Sequence, residues 1–539
     1  MFMVTGFSGV LHGMLLSLCR STLRYSERAM QVNSQGLLPF SLYTAAQVRE
    51  LDRIAIGEAG IPGYTLMSRA GEACWVALRA RWPQARSLLV LCGSGNNGGD
   101  GFVVARLALA ANWAVQVLQL DAAARLRGDA LTAQTDFVAA GGEVSPFTAA
   151  VSLDADIIVD AMLGTGVDRP LAGDWQLAVE RVNQSARPVL AVDLPTGLQA
   201  DTGAVSGATV HAAMTVTFIG RKTGLYTGAG PDYAGEIMFA DLDVPGTVYQ
   251  QVPPAAQLLR QALPGPLARP RMRTAHKGQH GHVLVIGGGE GMAGAARLAG
   301  EAALRSGAGL VSLATHPDHA AFVGSSCPEL ICHAVATAQQ LRPLIRSASV
   351  LLVGPGLGRS RWAQTLLAAV LEASQPLVID ADALNMLAGA PVRRAHQVLT
   401  PHPGEAARLL HQDAAAIQRD RFTAAQTITR QYGGTTVLKG AGTVIHADDK
   451  LPVVCGAGNP GMATAGMGDV LAGVIAALIA QGMDTHAAAV AGVCAHACAG
   501  DAASVRGERG MLARDVIAEL RGVLNGPRNG SLDKPGYSA

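Results

Sequence analysis

Aromatic side chains make up only 4% of the 539 residues and charged ones 15%, and the formal net charge is +1. Basic residues are not gathered into blocks, so the footprint of a nucleic-acid-binding surface is missing. No amphipathic basic helix suggests a membrane surface, and no apolar run reaches the ~20 residues of a spanning helix. The 8 cysteines are scattered. Cys327/Cys332 and Cys494/Cys498 are the closest pairs, and neither belongs to a paired metal-binding pattern. Unpaired cysteines in so long a chain fit a reducing compartment, and a cytoplasmic location is expected. His276, His280 and His282 lack metal-ligand spacing and partner carboxylates, so no metal is assigned to them.

Glycine, by contrast, is abundant at 64 residues, as in α/β folds with many tight strand-to-helix turns. At ~100–200 residues per domain, at least two domains are expected. Residues 1–18 are apolar but lack a positive n-region, and Arg20, Arg24 and Arg28 follow the run rather than precede it. That is the reverse of a signal peptide, so residues 1–40 are expected to be a poorly ordered extension. The polar tail, residues 526–539, is expected to be mobile too.

In the first half, Thr44 with Gln47 three residues on predicts a capped helix. The run SLLVLC, 87–92, reads as a buried parallel strand, and strands near 114–120, 156–159 and 188–192 alternate with helical segments. That alternation predicts a parallel sheet with right-handed crossovers. Gly93, Gly95 and Gly98 fit the dinucleotide-fold fingerprint, with Asp121 about twenty residues on, so an NAD-dependent dehydrogenase has to be weighed. The turn continues, however, as Asn96-Asn97-Gly98-Gly99-Asp100, with more polar groups than a pyrophosphate turn uses. Its amide and carboxylate oxygens suit a hard cation. Asp160 and Asp193 end strands on what is predicted to be the same edge of the sheet, where open α/β sheets bind ligands. A single strand-end Asp is ordinarily a turn residue; three on one edge point to a site.

The motifs LYTAAQVRELDR (42–53), GSGNNGGDGFVVAR (93–106), DAMLGTGVDRP (160–170) and DLPTG (193–197) resemble those of the NAD(P)H-hydrate epimerases. The resemblance implies a Rossmann-like domain over 41–246. It implies that Asn96, Asn97, Gly98, Gly99 and Asp100 hold the phosphates of the hydrate. The loop of Gly164, Thr165, Gly166, Val167, Asp168, Arg169 and Pro170 would wrap the substrate. A potassium site (K+) would fall on Asn97, Asp160 and Thr196, and Asp193 would be the substrate-contacting acid. Thr196 stands where serine is the more familiar residue, and it keeps the hydroxyl oxygen. Non-catalytic relatives of this fold tend to lose the polar turn, which is intact here.

Residues 247–273, rich in proline and arginine, read as a linker with a short helical stretch near 255–263. Strands and helices then alternate again. The most telling stretch is 456–482, GAGNPGMATAGMGDVLAGVIAALIAQG, a glycine loop running into a buried helix that Gly482 is suited to end. Backbone N–H groups around Gly466 and Gly468, helped by the helix dipole, make a ready phosphate site. Asp469 beside them is ordinarily a cap. Next to a phosphate it would repel the ligand unless it takes a proton or binds a substrate hydroxyl, which makes it an acid/base candidate. Lys439, at a strand end before a glycine turn, is placed to meet phosphate. His402 reads alone as a solvated loop histidine, and Asp380 and Asp382 as turn and cap groups lining a cleft.

The Gly466-Met467-Gly468-Asp469 loop resembles the anion hole of the ribokinase-like superfamily. KGQHGHVLVIGG, GAGLV, GPGLG, DADALN, TPHPGE, LKGAGT and GMGD, in order over 277–524, resemble the ADP-dependent NAD(P)H-hydrate dehydratases. That implies a ribokinase-like domain over 274–525 that uses ADP and Mg2+. Lys439, Gly440, Ala441, Gly442, Thr443 and Gly468 would bind the nucleotide. Ala295, Gly356, Gly358, His402 and Asp469 would meet the hydrate. The expected architecture is two three-layer α/β/α domains. The expected activity is epimerisation of R and S NADHX and NADPHX followed by ADP-dependent dehydration of the S form, in a homo-oligomer without nucleic-acid or membrane partners. The rivals are a vitamin or sugar kinase fused to a dinucleotide-binding domain and, more distantly, a nucleotide sensor.

Overall fold

The computed structural model describes residues 40–120, 126–165, 169–259 and 271–525. Residues 1–39, Asp121 and the tail after 525 therefore lie outside it, as do Gly166, Val167, Asp168 and residues 260–270 of the proline-rich joint. The chain divides into two compact units. The first runs to Ala255, apart from Thr202–Ala204 and Tyr226–Pro231, which belong to the second with everything from Ala256 on.

In the first unit, helix α1 (Ala45–Gly57) begins as its sequence predicts. The Thr44 hydroxyl accepts from the Gln47 N–H at 3.2 Å, and the Gln47 side chain accepts from the Thr44 N–H at 2.8 Å. Seven strands follow: β1 (Ser87–Cys92), β2 (Ala114–Gln119), β3 (Val144–Pro146), β4 (Ile157–Ala161), β5 (Val189–Val192), β6 (Met214–Phe218) and β7 (Glu236–Ala240). They pair in parallel in the order β3-β2-β1-β4-β5-β6-β7. Chain direction across the sheet therefore reverses beside β1, the crevice where such sheets bind ligands. Successive residues of β1 feed two cores: Leu88, Val90 and Cys92 enter one, Leu89 and Leu91 the other. Burial on both faces is why SLLVLC is continuously apolar. Helix α2 (Asn96–Ala110) starts on the first asparagine, so NNGGD is the opening turn of a helix rather than a loop before one.

In the second unit, β8 (Ala256–Leu259) replaces the helical stretch expected in the joint; its alternating buried and exposed residues are a strand pattern. Then come β9 (His282–Ile286), α3 (Ala293–Arg305), β10 (Leu310–Thr315), β11 (Ile331–Ala334), β12 (Val350–Val353), β13 (Leu377–Ile379) and α4 (Ala381–Leu387). They are followed by β14 (Gln397–Leu399), α5 (Pro403–Leu410), α6 (Arg421–Tyr432), β15 (Thr435–Leu438), β16 (Thr443–Ala447), β17 (Val453–Cys455), α7 (Met467–Ala480) and α8 (Thr485–Ser504). The strand order is β11-β10-β9-β12-β13-β14-β15-β16-β17-β8. All pairings are parallel except those of β16, the hairpin strand, with its two neighbours. Helix α7 is buried along nearly its whole length, from Met467 to Ile479. It stops before Gly482, whose φ of +96° lies in the left-handed region that favours glycine. Among the described residues no helix is long and apolar enough to cross a membrane.

Candidate active sites

In the first unit the C-terminal ends of β1, β4 and β5 lie side by side and carry the predicted residues. Helix α2 has no side-chain cap at Gly95, so its first N–H groups, from Asn96 onward, are open to an anion. Asp100 lies on the first turns of the same helix. It is buried, and burial followed by the charges of Asp193 and Asp52 pushes its carboxyl well above the ordinary range. Asp160 and Thr196 are fully buried and joined: the Thr196 hydroxyl and N–H donate to the two carboxylate oxygens at 2.7 and 2.8 Å. The Leu163 N–H donates in turn to the Thr196 hydroxyl at 3.0 Å. Asp193 follows β5 with φ of +66°, an uncommon conformation for a non-glycine residue. That geometry turns Oδ1 toward the Phe218 N–H, the Thr217 hydroxyl and the Lys222 ammonium. Its other oxygen, Oδ2, and Asn97 Oδ1 converge on Gly164, lying 3.6 and 3.3 Å from where a Cβ there would stand. Gly164 therefore leaves a gap with oxygens on two sides.

Two members of this cluster escape sequence reading. Lys222 is only 1% exposed and donates to Asp193, to Thr217 Oγ1 at 3.3 Å and to the Phe218 carbonyl at 3.0 Å. Asp52, on α1, has a carboxyl pushed up to about 6, by burial first and by Asp193, against the pull of Lys222. Asp52 stands inside the LYTAAQVRELDR motif, the one sequence signal available; for Lys222 there is none. Thr165 is half-buried, whereas Arg169 and Pro170 are exposed on the loop.

In the second unit the turn before α7 places Gly466 at φ +89° and leaves the helix without a side-chain cap. A Cβ on Gly468 would stand 3.0 Å from the Lys439 ammonium and 3.6 Å from Asp380 Oδ2, so the missing side chain leaves the ammonium room beside the loop. Asp469 is not the cap its position suggests. Its carboxyl is raised to about 7, by burial and then by the negative charge of Asp380, although Lys439 works against the rise.

Asp380, expected to be a cap, makes no cap bond; it is 1% exposed, accepts from Thr400 Oγ1 at 2.8 Å and pairs with Lys439 at 2.8 Å. Glu405 Oε2 lies 3.7 Å from the same ammonium. Burial alone would drive the Lys439 ammonium down, but Asp380, Glu405 and Asp469 hold it above the ordinary lysine value. His402 is no free loop histidine. It caps α5, its Nδ1 accepting from the N–H groups of Gly404 and Glu405 at 3.0 and 3.3 Å. Nε2 then carries the proton and faces Glu405 Oε1 at 3.3 Å. Burial and the nearby Lys439 and Arg408 charges lower its pKa, so the ring is neutral. The remaining predicted residues meet: a Cβ on Gly356 would touch Ala295 and Met292, and Gly358 donates its N–H to Asp382 at 2.9 Å. Glu405 is legible only as a motif member and Asp380 only as a turn or cap group, because their pairing with Lys439 joins two strand ends and the first turn of α5.

Fold and sites together define an α/β enzyme with two parallel-sheet units, the first carrying buried carboxylates at its strand ends and the second a glycine turn that opens a buried helix beside Lys439 and Asp380. The family described as NAD(P)H-hydrate dehydratase matches residues 283–521, and that described as YjeF-related protein N-terminus matches 63–224. The bifunctional NAD(P)H-hydrate repair enzymes of Coxiella burnetii and Escherichia coli are 47% and 42% identical to the chain. Each similarity covers 90% of this chain, and 99% and 95% of those two proteins. A solved ADP/ATP-dependent NAD(P)H-hydrate dehydratase from Bacillus subtilis, co-crystallized with ATP/Mg2+, is 27% identical over 47% of this chain and 91% of its own, with a TM-score of 0.42. By its near full-length relatives the chain belongs to the bifunctional NAD(P)H-hydrate repair enzymes, and the kinase and dehydrogenase alternatives fall away.

Proposed function

We propose that the first unit interconverts the R and S hydrates of NADH and NADPH and that the second dehydrates the S form at the expense of ADP. The observation that carries this reading is Asp469: a carboxyl titrating at about 7, uncapped, beside a glycine anion hole and the Lys439 ammonium. A hydroxyl on the reduced nicotinamide ring leaves poorly as hydroxide. Asp469 would take its proton as the oxygen attacks the terminal phosphorus of ADP, releasing AMP, while the N–H groups near Gly468 hold the developing negative charge. Loss of phosphate with the neighbouring ring proton then restores the double bond of NAD(P)H. Lys439 and the loop Gly440, Ala441, Gly442 and Thr443 would carry the nucleotide. His402 and Asp469, together with Ala295, Gly356 and Gly358, would face the hydrate. Magnesium would arrive on the nucleotide and screen its phosphate charge; among the described residues no group of three or more acidic, histidine or cysteine side chains forms a dedicated metal site.

In the first unit, inverting the hydroxyl-bearing carbon takes an acid that helps the hydroxyl leave and a base for water returning on the other face. Asp193, fixed by Lys222, and the protonation-prone Asp100 supply that pair. Asn96, Asn97 and Gly98 would hold the phosphates on open helix N–H groups; Gly99, also expected there, already gives its N–H to the Gly95 carbonyl at 3.2 Å and would contribute only the room left by its missing side chain. Asp160, Thr196 and Asn97 fit potassium in donor chemistry: all offer oxygen, and Asp160 is a fully buried carboxylate with no cationic partner among the described residues. The ion would balance that charge and brace the pocket floor. A cytoplasmic location agrees with described cysteines that are all free thiols.

The test is to give the protein an R/S mixture of NADPH hydrate with ADP and magnesium and to follow the absorbance of restored NADPH. Recovery is expected to be complete, to stop at the S fraction in Asp193→Ala, and to vanish in Asp469→Asn. Absence of recovery with ADP and, in a parallel assay, with ATP would overturn the reading.

A further inference from the structure

Arg421, the first residue of α6, is 1% exposed, and among the described residues none of its partners is a carboxylate. Burying an unpaired guanidinium is costly, so such a residue is tied to whatever its donors organise. Here all four of its hydrogen bonds go to neutral oxygens, and three of those lie on or behind one loop. Nη2 reaches the carbonyls of Leu438 and Lys439 at 3.0 and 3.2 Å, and Nη1 reaches Gln418 Oε1 at 2.6 Å. Nε donates at 3.0 Å to the hydroxyl of Thr227, itself fully buried, and that hydroxyl donates onward to the Gly442 carbonyl at 2.9 Å. Thr227 lies in Tyr226–Pro231, the excursion that belongs to the second unit although it precedes the joint in sequence.

The consequence follows from peptide geometry. A trans peptide points its C=O and N–H in opposite directions. With the Lys439 carbonyl drawn inward to Arg421, the Gly440 N–H points to the other side, where Gly440 and Ala441 are exposed. Gly440 and Gly442 have φ of +139° and +62°. A Cβ on Gly440 would meet Arg421 at 3.0 Å, and one on Gly442 would stand 1.8 Å from the Tyr226 carbonyl. The loop is clamped from beneath at both ends and open above.

We propose that Arg421 and Thr227 are positioning residues that hold the loop from Lys439 to Thr443 with its N–H face toward the phosphates of a nucleoside diphosphate. The inference rests on the nucleotide-binding reading of that loop. It adds that a segment from before the joint sets the affinity of the dehydratase for its nucleotide.

The test is dehydration of purified S-hydrate at varied ADP concentration. Thr227→Val keeps the shape but removes both hydroxyl contacts. It is expected to raise the KM for ADP about tenfold, equivalent to about 1.4 kcal/mol, with kcat and the KM for hydrate within about twofold. Thr227→Ser is expected to restore the wild-type KM. Arg421→Lys, which keeps the charge but loses the fork, is expected to raise the same KM and serves if the valine variant does not fold. A folded Thr227→Val or Arg421→Lys protein with unchanged KM for ADP overturns the proposal, as does a serine variant as impaired as valine. Lys439→Ala, measured alongside, separates the two layers: if it too leaves the KM for ADP unchanged, the nucleotide reading of the loop has failed, not merely its clamping.

Discussion

If Asp469 is the base of the dehydratase, its environment dictates a pH profile that an ordinary aspartate could not give. Its carboxyl rises from the usual 3.8 to about 7, chiefly because it is buried and then because Asp380 faces it. A change of that size is about 4 kcal/mol against the ionised form. With S-hydrate as substrate, so that epimerisation does not intervene, kcat/KM is expected to be level above pH 8 and half-maximal near pH 7. At pH 6 it is expected to be about tenfold lower, since only about one enzyme in eleven then carries the carboxylate. An aspartate of ordinary pKa would give a flat profile from pH 5 upward. The stability sign follows independently. The folded protein holds this proton more tightly than the unfolded chain, so this contribution is present below about pH 4 and lost as pH rises through about 7. Asp469→Asn removes the buried charge, and is therefore expected to raise Tm by a few degrees at pH 8 while lowering turnover by at least a hundredfold. A profile flat between pH 5 and 8, or an asparagine variant that keeps turnover, would refute the reasoning.

Lys222→Met in the first unit leaves Asp193 without its ammonium partner in a nearly closed pocket; epimerisation is expected to fall at least a hundredfold, with a loss of roughly 3 kcal/mol in urea unfolding, because one half of a buried pair is stranded. His402→Ala removes the α5 cap, at about 1 kcal/mol in thermal unfolding, and is expected to raise the KM for S-hydrate. His402→Asn, which can still cap, is expected to recover the stability but not the KM.

Much of this protein is written in its sequence. Continuous apolar runs such as SLLVLC locate buried strands, because a strand covered on both faces has no polar side to show. Gly466, Gly468 and the apolar run behind them mark an anion-binding turn, because an open helix start is a local property. Thr44 and Gln47 likewise specify their cap through neighbours three residues apart. The strand at 256–259 is not legible in the joint: its flanks are rich in proline, it is four residues long, and its partner lies almost two hundred residues away.

What the tertiary structure alone decided is which charges face each other. Asp380 and Lys439 are 59 residues apart and Thr227 and Arg421 are 194 apart, yet each pair is in hydrogen-bond contact. Sequence separation sets no limit on such contacts once parallel strands bring distant turns to one edge. The same holds for Asp469. Its place at a helix start is local, but its proton affinity comes from burial and from Asp380, and both exist only after the sheet has assembled.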